Sequence, residues 1–280
     1  QHAAATALGL LEDKRAVGPL ILALKSREPE LRKEAADALG KIKDQDAVEG
    51  LIALLYDPNP AVKLAAIQAL GSLESKEALP QLVDILKATQ ISIQDAAAEA
   101  ILSIGGQQAA ERLVFFLINS IDLLVWDPFS PEYDPEMLEF GKRTLEKVKT
   151  LLVTIGEDST KPLIATLGYS GARVRQVVSE ILQKIGQPAV VELLRTLIHT
   201  DRYMRLAAAE ELDKMGWKPK KDEIGAAYWI ARQEWDQCTA LGKIATNPLV
   251  TSFRDTDPGI RQKAVECLDS IGWEPSQDAI

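Results

Sequence analysis

The chain has 280 residues, 46% of them hydrophobic and 26% charged, with a formal net charge of -9. That much apolar material supports a large buried core and excludes a disordered chain. The acidic balance repels a phosphate backbone, so no nucleic-acid partner is expected. A basic protein partner fits the charge better, although acidity also serves solubility.

No run of about 18 apolar residues is present, so no membrane partner is expected. The strongest apolar stretch, residues 113–118 with 121–126, is broken by Asn119, Ser120 and Asp122. No signal peptide is visible, and the chain starts with Gln1 rather than Met. Cys238 and Cys267 form no CxxC pair. They read as reduced, half-buried thiols, which points to a cytoplasmic location.

In chain order, residues 1–12 align with residues 32–43, so the chain opens inside the second helix of a repeated unit. The dipeptides Leu8-Gly9, Leu39-Gly40 and Leu70-Gly71 recur at one spacing, with Ile101-Leu102 in the same register. A fixed period of about 30 residues means stacked copies of one supersecondary unit. Each unit reads as helix A, turn, helix B and a short loop. In the first complete unit, helix A covers residues 16–26, the turn is Arg27-Glu28-Pro29, and helix B covers residues 30–42. Leu31, Ala35, Ala38, Leu39 and Ile42 supply the amphipathic spacing of that helix B.

The next units run over residues 44–74 and 75–105. Residues 106–156 form a longer unit, with an insertion near 121–140 carrying Pro128, Pro131 and Pro135. Those prolines forbid one continuous helix, and helix B restarts after Pro135. Residues 157–216 return to the regular pattern, with Gly156, Gly186 and Gly216 after the B helices. Residues 217–272 form a second long unit with added helices near 224–233 and 235–241. Gly216-Trp217-Lys218-Pro219 reappears as Gly272-Trp273-Glu274-Pro275, and residues 273–280 start a further, truncated unit. The expectation is one array over 1–280, of about seven to eight helical hairpins and part of a longer array.

The segments ELRKEAADALGKIKDQDAVEGLIALL and VRQVVSEILQKIGQPAVVELLRTL resemble HEAT repeats, more closely the short PBS-lyase HEAT-like type. The resemblance covers nearly the whole chain outside the insertion. It implies an all-α, right-handed α-α superhelix, a HEAT-like solenoid whose B helices line a concave face that holds other proteins. The family arginine falls at Arg32, Arg175, Arg205 and Arg261, with Lys63 in the same place and Asp201 and Asp257 as N-caps or partners. Gln94 and Leu145 depart from it, which makes the stacking beside the insertion less regular.

No catalytic, cofactor or metal residues are expected. The two histidines, His2 and His199, are not followed by Glu, as a di-iron hydroxylase of this repeat type requires. No HExxH, P-loop, GxSxG or GxGxxG is present. His199 reads as a cation at the end of a helix A. The resemblance leaves a bilin lyase or isomerase as the enzyme alternative and a DNA-repair protein as a remote one.

Two surfaces are candidates for a protein or peptide partner, and a monomer is favoured. The first is the concave face, with the acidic row Asp37, Glu99, Glu180, Glu210 and Glu266. The competing reading pairs Asp37 with Lys41, Glu180 with Lys184 and Glu210 with Lys214 along solvated helices. The second is the insertion, where Trp126, Phe129 and Tyr133 stand among acidic residues and either anchor a partner or cover the gap between units. Trp229 and Trp235 read as core of the long unit.

Overall fold

The computed structural model describes residues 13–124 and 135–274. Trp126, Phe129 and Tyr133 lie outside the described residues, as do residues 1–12 and 275–280. The described residues form α-helices and short 3-10 turns, with no strand among them. The chain divides into two compact units, Gln1–Ser159 and Thr160–Ile280.

In the first unit the helices come in A–B pairs: α1 (Val17–Ala23) with α2 (Pro29–Ile42), α3 (Val48–Leu54) with α4 (Pro60–Ser72), α5 (Leu79–Ile85) with α6 (Ile91–Ile104), and α7 (Gly106–Leu124) with α8 (Pro135–Ile155). Pro29 and Pro60 start helices rather than ending turns, because the missing N–H falls where no intrahelical bond is made. Asn59 caps α4 by accepting the amide of Ala61 at 2.9 Å.

The B helices approach closely because small residues face each other. A Cβ on Gly40 would lie 2.9 Å from Cα of Ala69, and one on Gly71 would lie 2.9 Å from Cα of Ala100. The A helices pack less closely against one another than the B helices do. The B helices thus form one continuous, closely packed layer in the first unit. Between the two layers sits a core of Leu39, Leu51, Leu70, Leu82, Ile101 and Leu113, all fully buried.

The insertion is partly helical. α7 runs on to Leu124 and α8 begins at Pro135, so the added sequence lengthens both helices, and α8 reaches 21 residues against 14 in α2. Prolines forbid continuity across the insertion but leave its two ends free to extend the flanking helices.

The second unit holds α9 (Glu157–Leu167), which begins at the boundary, α10 (Ala172–Ile185), α11 (Gln187–Thr196), α12 (Arg202–Lys214), the added pair α13 (Glu223–Arg232) and α14 (Trp235–Ala240), and then α15 (Thr246–Thr251) and α16 (Pro258–Ser270). Asp201 and Asp257 cap α12 and α16, accepting the amides of Tyr203 and Gly259 at 2.7 Å each. Gly186 ends α10 at φ +76, a conformation that suits a residue without Cβ. Ala226, Ile230, Cys238, Leu249, Ala264 and Cys267 form one buried cluster, with Trp229 and Trp235 packed half-buried against it. Both cysteines are thus buried, not half-buried as the sequence suggested, because the added helices close over them.

Candidate interaction site

The charges committed to the fold come first, because what they leave over is available to a partner. Arg32 on α2 donates Nη1 back to the carbonyls of Ser26 and Arg27 at 2.9 and 3.2 Å. Its Nε and Nη2 donate forward to both carboxylate oxygens of Asp57, at 2.7 and 2.9 Å. Arg205 on α12 repeats this, with the carbonyls of His199 and Thr200 behind and Asp255 ahead. Arg175 and Arg261 also bond back to their own turns, through Ser170 and through Asp255 and Thr256.

The arginines therefore do not pair with the aspartates of their own caps. For Arg32 and Arg205 the partner is the aspartate two residues before a later cap, Asp57 before Asn59 and Asp255 before Asp257. Gln94 substitutes for the missing arginine. It is fully buried, donates to the carbonyl of Leu86 at 2.7 Å and reaches Thr144 on α8 at 3.4 Å, so α6 remains tied to its own turn and to α8. Leu145 is buried as an apolar side chain. His199 lies just beyond the end of α11, and its Nδ1 accepts the amide of Asp201 at 3.1 Å.

The predicted acidic row falls on B helices in both units. In the first, Asp37 lies half-buried on α2 and Glu99 is exposed on α6. Burial pushes the Asp37 carboxyl above its ordinary range, while Lys33 and Lys41 pull it back. In the second unit the row continues with Glu180 on α10, Glu210 on α12 and Glu266 on α16. Glu180 accepts from Gln176 at 3.4 Å. Glu266 accepts from Lys263 at 2.6 Å and Gln262 at 3.1 Å, and the Lys263 contact holds its carboxyl below the usual range.

Glu210 differs from Glu180 and Glu266. Lys214, its expected i,i+4 partner, turns instead to the buried Glu211, which also accepts from Ser179 at 2.6 Å. Glu210 is exposed, and among the described residues no hydrogen bond or ion pair holds its carboxylate.

A shallow depression of about 440 Å³ opens beside this row, where the starts of α12 and α14 meet α16. Trp235, Gln262, Lys263 and Glu266 line it, together with the ion pair of Arg202 and Asp257. The sequence did not place Trp235 next to Glu266, because the long unit's added helices have no counterpart in the regular period. Among the described residues, no group of three or more His, Cys, Asp and Glu side chains is placed to hold a metal ion. No described helix is long and apolar enough to cross a membrane.

Residues 1–56 and 48–122 match the family model for HEAT repeats. No curated protein matches the chain in sequence. Among solved structures, the complex of CpcE and CpcF of phycocyanin lyase from Nostoc sp. PCC7120 is similar at 21% identity, over 84% of this chain and 93% of that one, with a TM-score of 0.38. An engineered protein is similar at 20% identity, over 91% and 96%, with a TM-score of 0.37. Human deoxyhypusine hydroxylase in complex with glycerol is similar at 19% identity, over 97% and 90%, with a TM-score of 0.33. The family match over residues 1–122 and the same A–B hairpins with an arginine–aspartate tie in the second unit make one all-α repeat pattern. Residues 1–122 are HEAT repeats, and the described residues as a whole have an all-α, HEAT-like fold.

Proposed function

We propose that this protein is a noncatalytic interaction scaffold that holds a basic protein or peptide segment along its B-helix face. Asp37 and Glu99 in the first unit, and Glu180, Glu210 and Glu266 in the second, supply the acidic contacts. The observation that carries the reading is the exposed, unpaired carboxylate of Glu210 on the row that includes Glu266 beside Trp235. An aromatic side chain beside the Glu266 carboxylate suits a lysine or arginine side chain, whose stem packs on the ring while its charge meets the acid. Trp126, Phe129 and Tyr133 of the insertion are proposed as a second contact on sequence grounds.

The test is a pull-down from the source cell with the wild-type chain and with the double variant Glu180→Lys/Glu210→Lys. The expected result is loss of a basic partner with unchanged far-ultraviolet circular dichroism. Retention of every captured protein by the folded double variant would remove the acidic row from the site. Incubation with a free bilin tests the lyase alternative, and a covalent chromophore adduct would overturn the noncatalytic reading.

A further inference from the structure

The A-helix side of the second unit carries a different surface. The stripe Val191, Leu194, Arg195 and Ile198, on α11 and just beyond its end, faces Glu223, Ile224 and Ala227 of α13 and Pro248 and Thr251 of α15 across a trough of about 520 Å³. Three aliphatic side chains stand open to solvent there: Ile198 is 64% exposed, Ile224 46% and Val191 40%. The trough continues past Ile198, Ala227 and Pro248 into a recess of about 210 Å³ that reaches Arg205 and Arg254.

Between α5 and α7 of the first unit the space is divided into two separate depressions of about 140 and 390 Å³. Two differences accompany this. The added helix α13 stands between the α11 and α15 sides and widens the gap. The repeat position of Ile198 is occupied in α5's unit by Lys87, whose ammonium lies 4.9 Å over the Phe116 ring and partly covers the groove. A lysine that caps an apolar seam has thus been replaced by an isoleucine that lengthens it.

The charges around the trough say what its occupant must bring. Arg195 is paired with Glu192 at 3.0 Å, Glu223 accepts from Asn247 at 2.7 Å, and Arg205 is paired with Asp255. Two donors remain unmet at the recess end. Arg254 is exposed, and among the described residues no hydrogen bond or ion pair holds its side chain. Nε of Arg205, a residue only 5% exposed, has no acceptor. The demand is for an anion at one end of an aliphatic surface.

We propose that this trough docks an amphipathic helix of a partner protein, with aliphatic residues at i, i+3/i+4 and i+7 lying on Val191, Ile198 and Ile224 and an acidic side chain meeting Arg254. This is a second binding site, on the opposite helix layer from the acidic row, and it does not depend on the reading of that row.

The probe is a fluorescein-labelled synthetic helix of about 15 residues, long enough for four turns, with leucine at those positions and glutamate at its C-terminal end. Fluorescence anisotropy follows its binding to the full chain. Ile198→Glu, at an exposed position, is expected to weaken binding by about tenfold or more, as loss of a central apolar anchor does. Arg254→Glu is expected to weaken it as well, and a probe with lysine in place of the glutamate is expected to recover binding to Arg254→Glu alone. Circular dichroism confirms that both variants fold. Equal binding of a scrambled peptide of the same composition, no binding of the wild type, or a folded Ile198→Glu variant with unchanged affinity would each overturn the proposal. So would tight binding of dodecanoate without the peptide, which would make the trough an acyl-chain site.

Discussion

Arg32 and Asp57 hold each other through two parallel hydrogen bonds of 2.7 and 2.9 Å, although they belong to successive repeat units and lie 25 residues apart. Both side chains are largely buried. Asp57 also accepts the amide of Asn59 at 2.9 Å, so one carboxylate fixes its own turn and the helix before it.

Removing that carboxylate leaves a guanidinium with too few acceptors in a buried place. Asp57→Ala is expected to cost about 3 kcal/mol, the scale for breaking one side of a buried pair. The sign of the pH dependence follows from the direction of the shift. Hydrogen bonding to Arg32 holds the Asp57 carboxyl below its ordinary range. Its stabilising effect is therefore complete above the unfolded-state pKa, about 3.9, and is lost as pH falls through the lower folded-state value. Urea titrations of wild type and variant are expected to differ at neutral pH and to converge in acid. A constant difference across that range would show that packing, not the charge, is responsible.

Glycine substitutions separate close approach from helix propensity. Gly40→Ala places a Cβ 2.9 Å from the backbone of Ala69, and backbone cannot step aside. It is expected to destabilise the chain by about 1–3 kcal/mol through overpacking. Gly18→Ala, in the exposed first turn of α1, meets nothing within 4 Å. It is expected to raise stability by about 0.5–1 kcal/mol. Thermal melts of the two variants should move in opposite directions.

Thiol chemistry reports on the core around α14 and α16. Burial pushes the Cys238 thiol up to about 12, and burial also raises Cys267. A thiolate is the reactive form, so neither cysteine is expected to react with a disulfide reagent in the native chain at neutral pH. Labelling should begin only as the second unit opens in urea. Rapid labelling of the native chain would show that the cluster around Ile230 and Leu249 is open to solvent.

Much of the fold was legible because helical period and punctuation are local. The leucine–glycine recurrence placed the regular B helices, and the aspartates before α12 and α16, read as caps or as arginine partners, are caps. What escaped the sequence depends on side-chain choice in three dimensions. Lys214 had Glu210 and Glu211 within reach along one helix, and only the burial of Glu211 beside Ser179 decides between them. Gln94 looked like a gap in the arginine series, yet an amide can donate to the same kind of turn carbonyl. The acidic row could be listed from the repeat register. The depression at Trp235 and the trough at Ile198 could not, since both are made by the added helices α13 and α14, for which the regular units offer no template.

The arginine–aspartate tie also gives the chain a direction of assembly. Arg32 is first steadied by carbonyls of its own turn, contacts only five and six residues away, and these can form as soon as its hairpin exists. Its remaining donors then wait for an aspartate that is synthesised 25 residues later. The hairpin of Arg32 thus presents a fixed guanidinium as a docking peg for the next turn, and growth from the N-terminal side meets a partner already shaped to receive it.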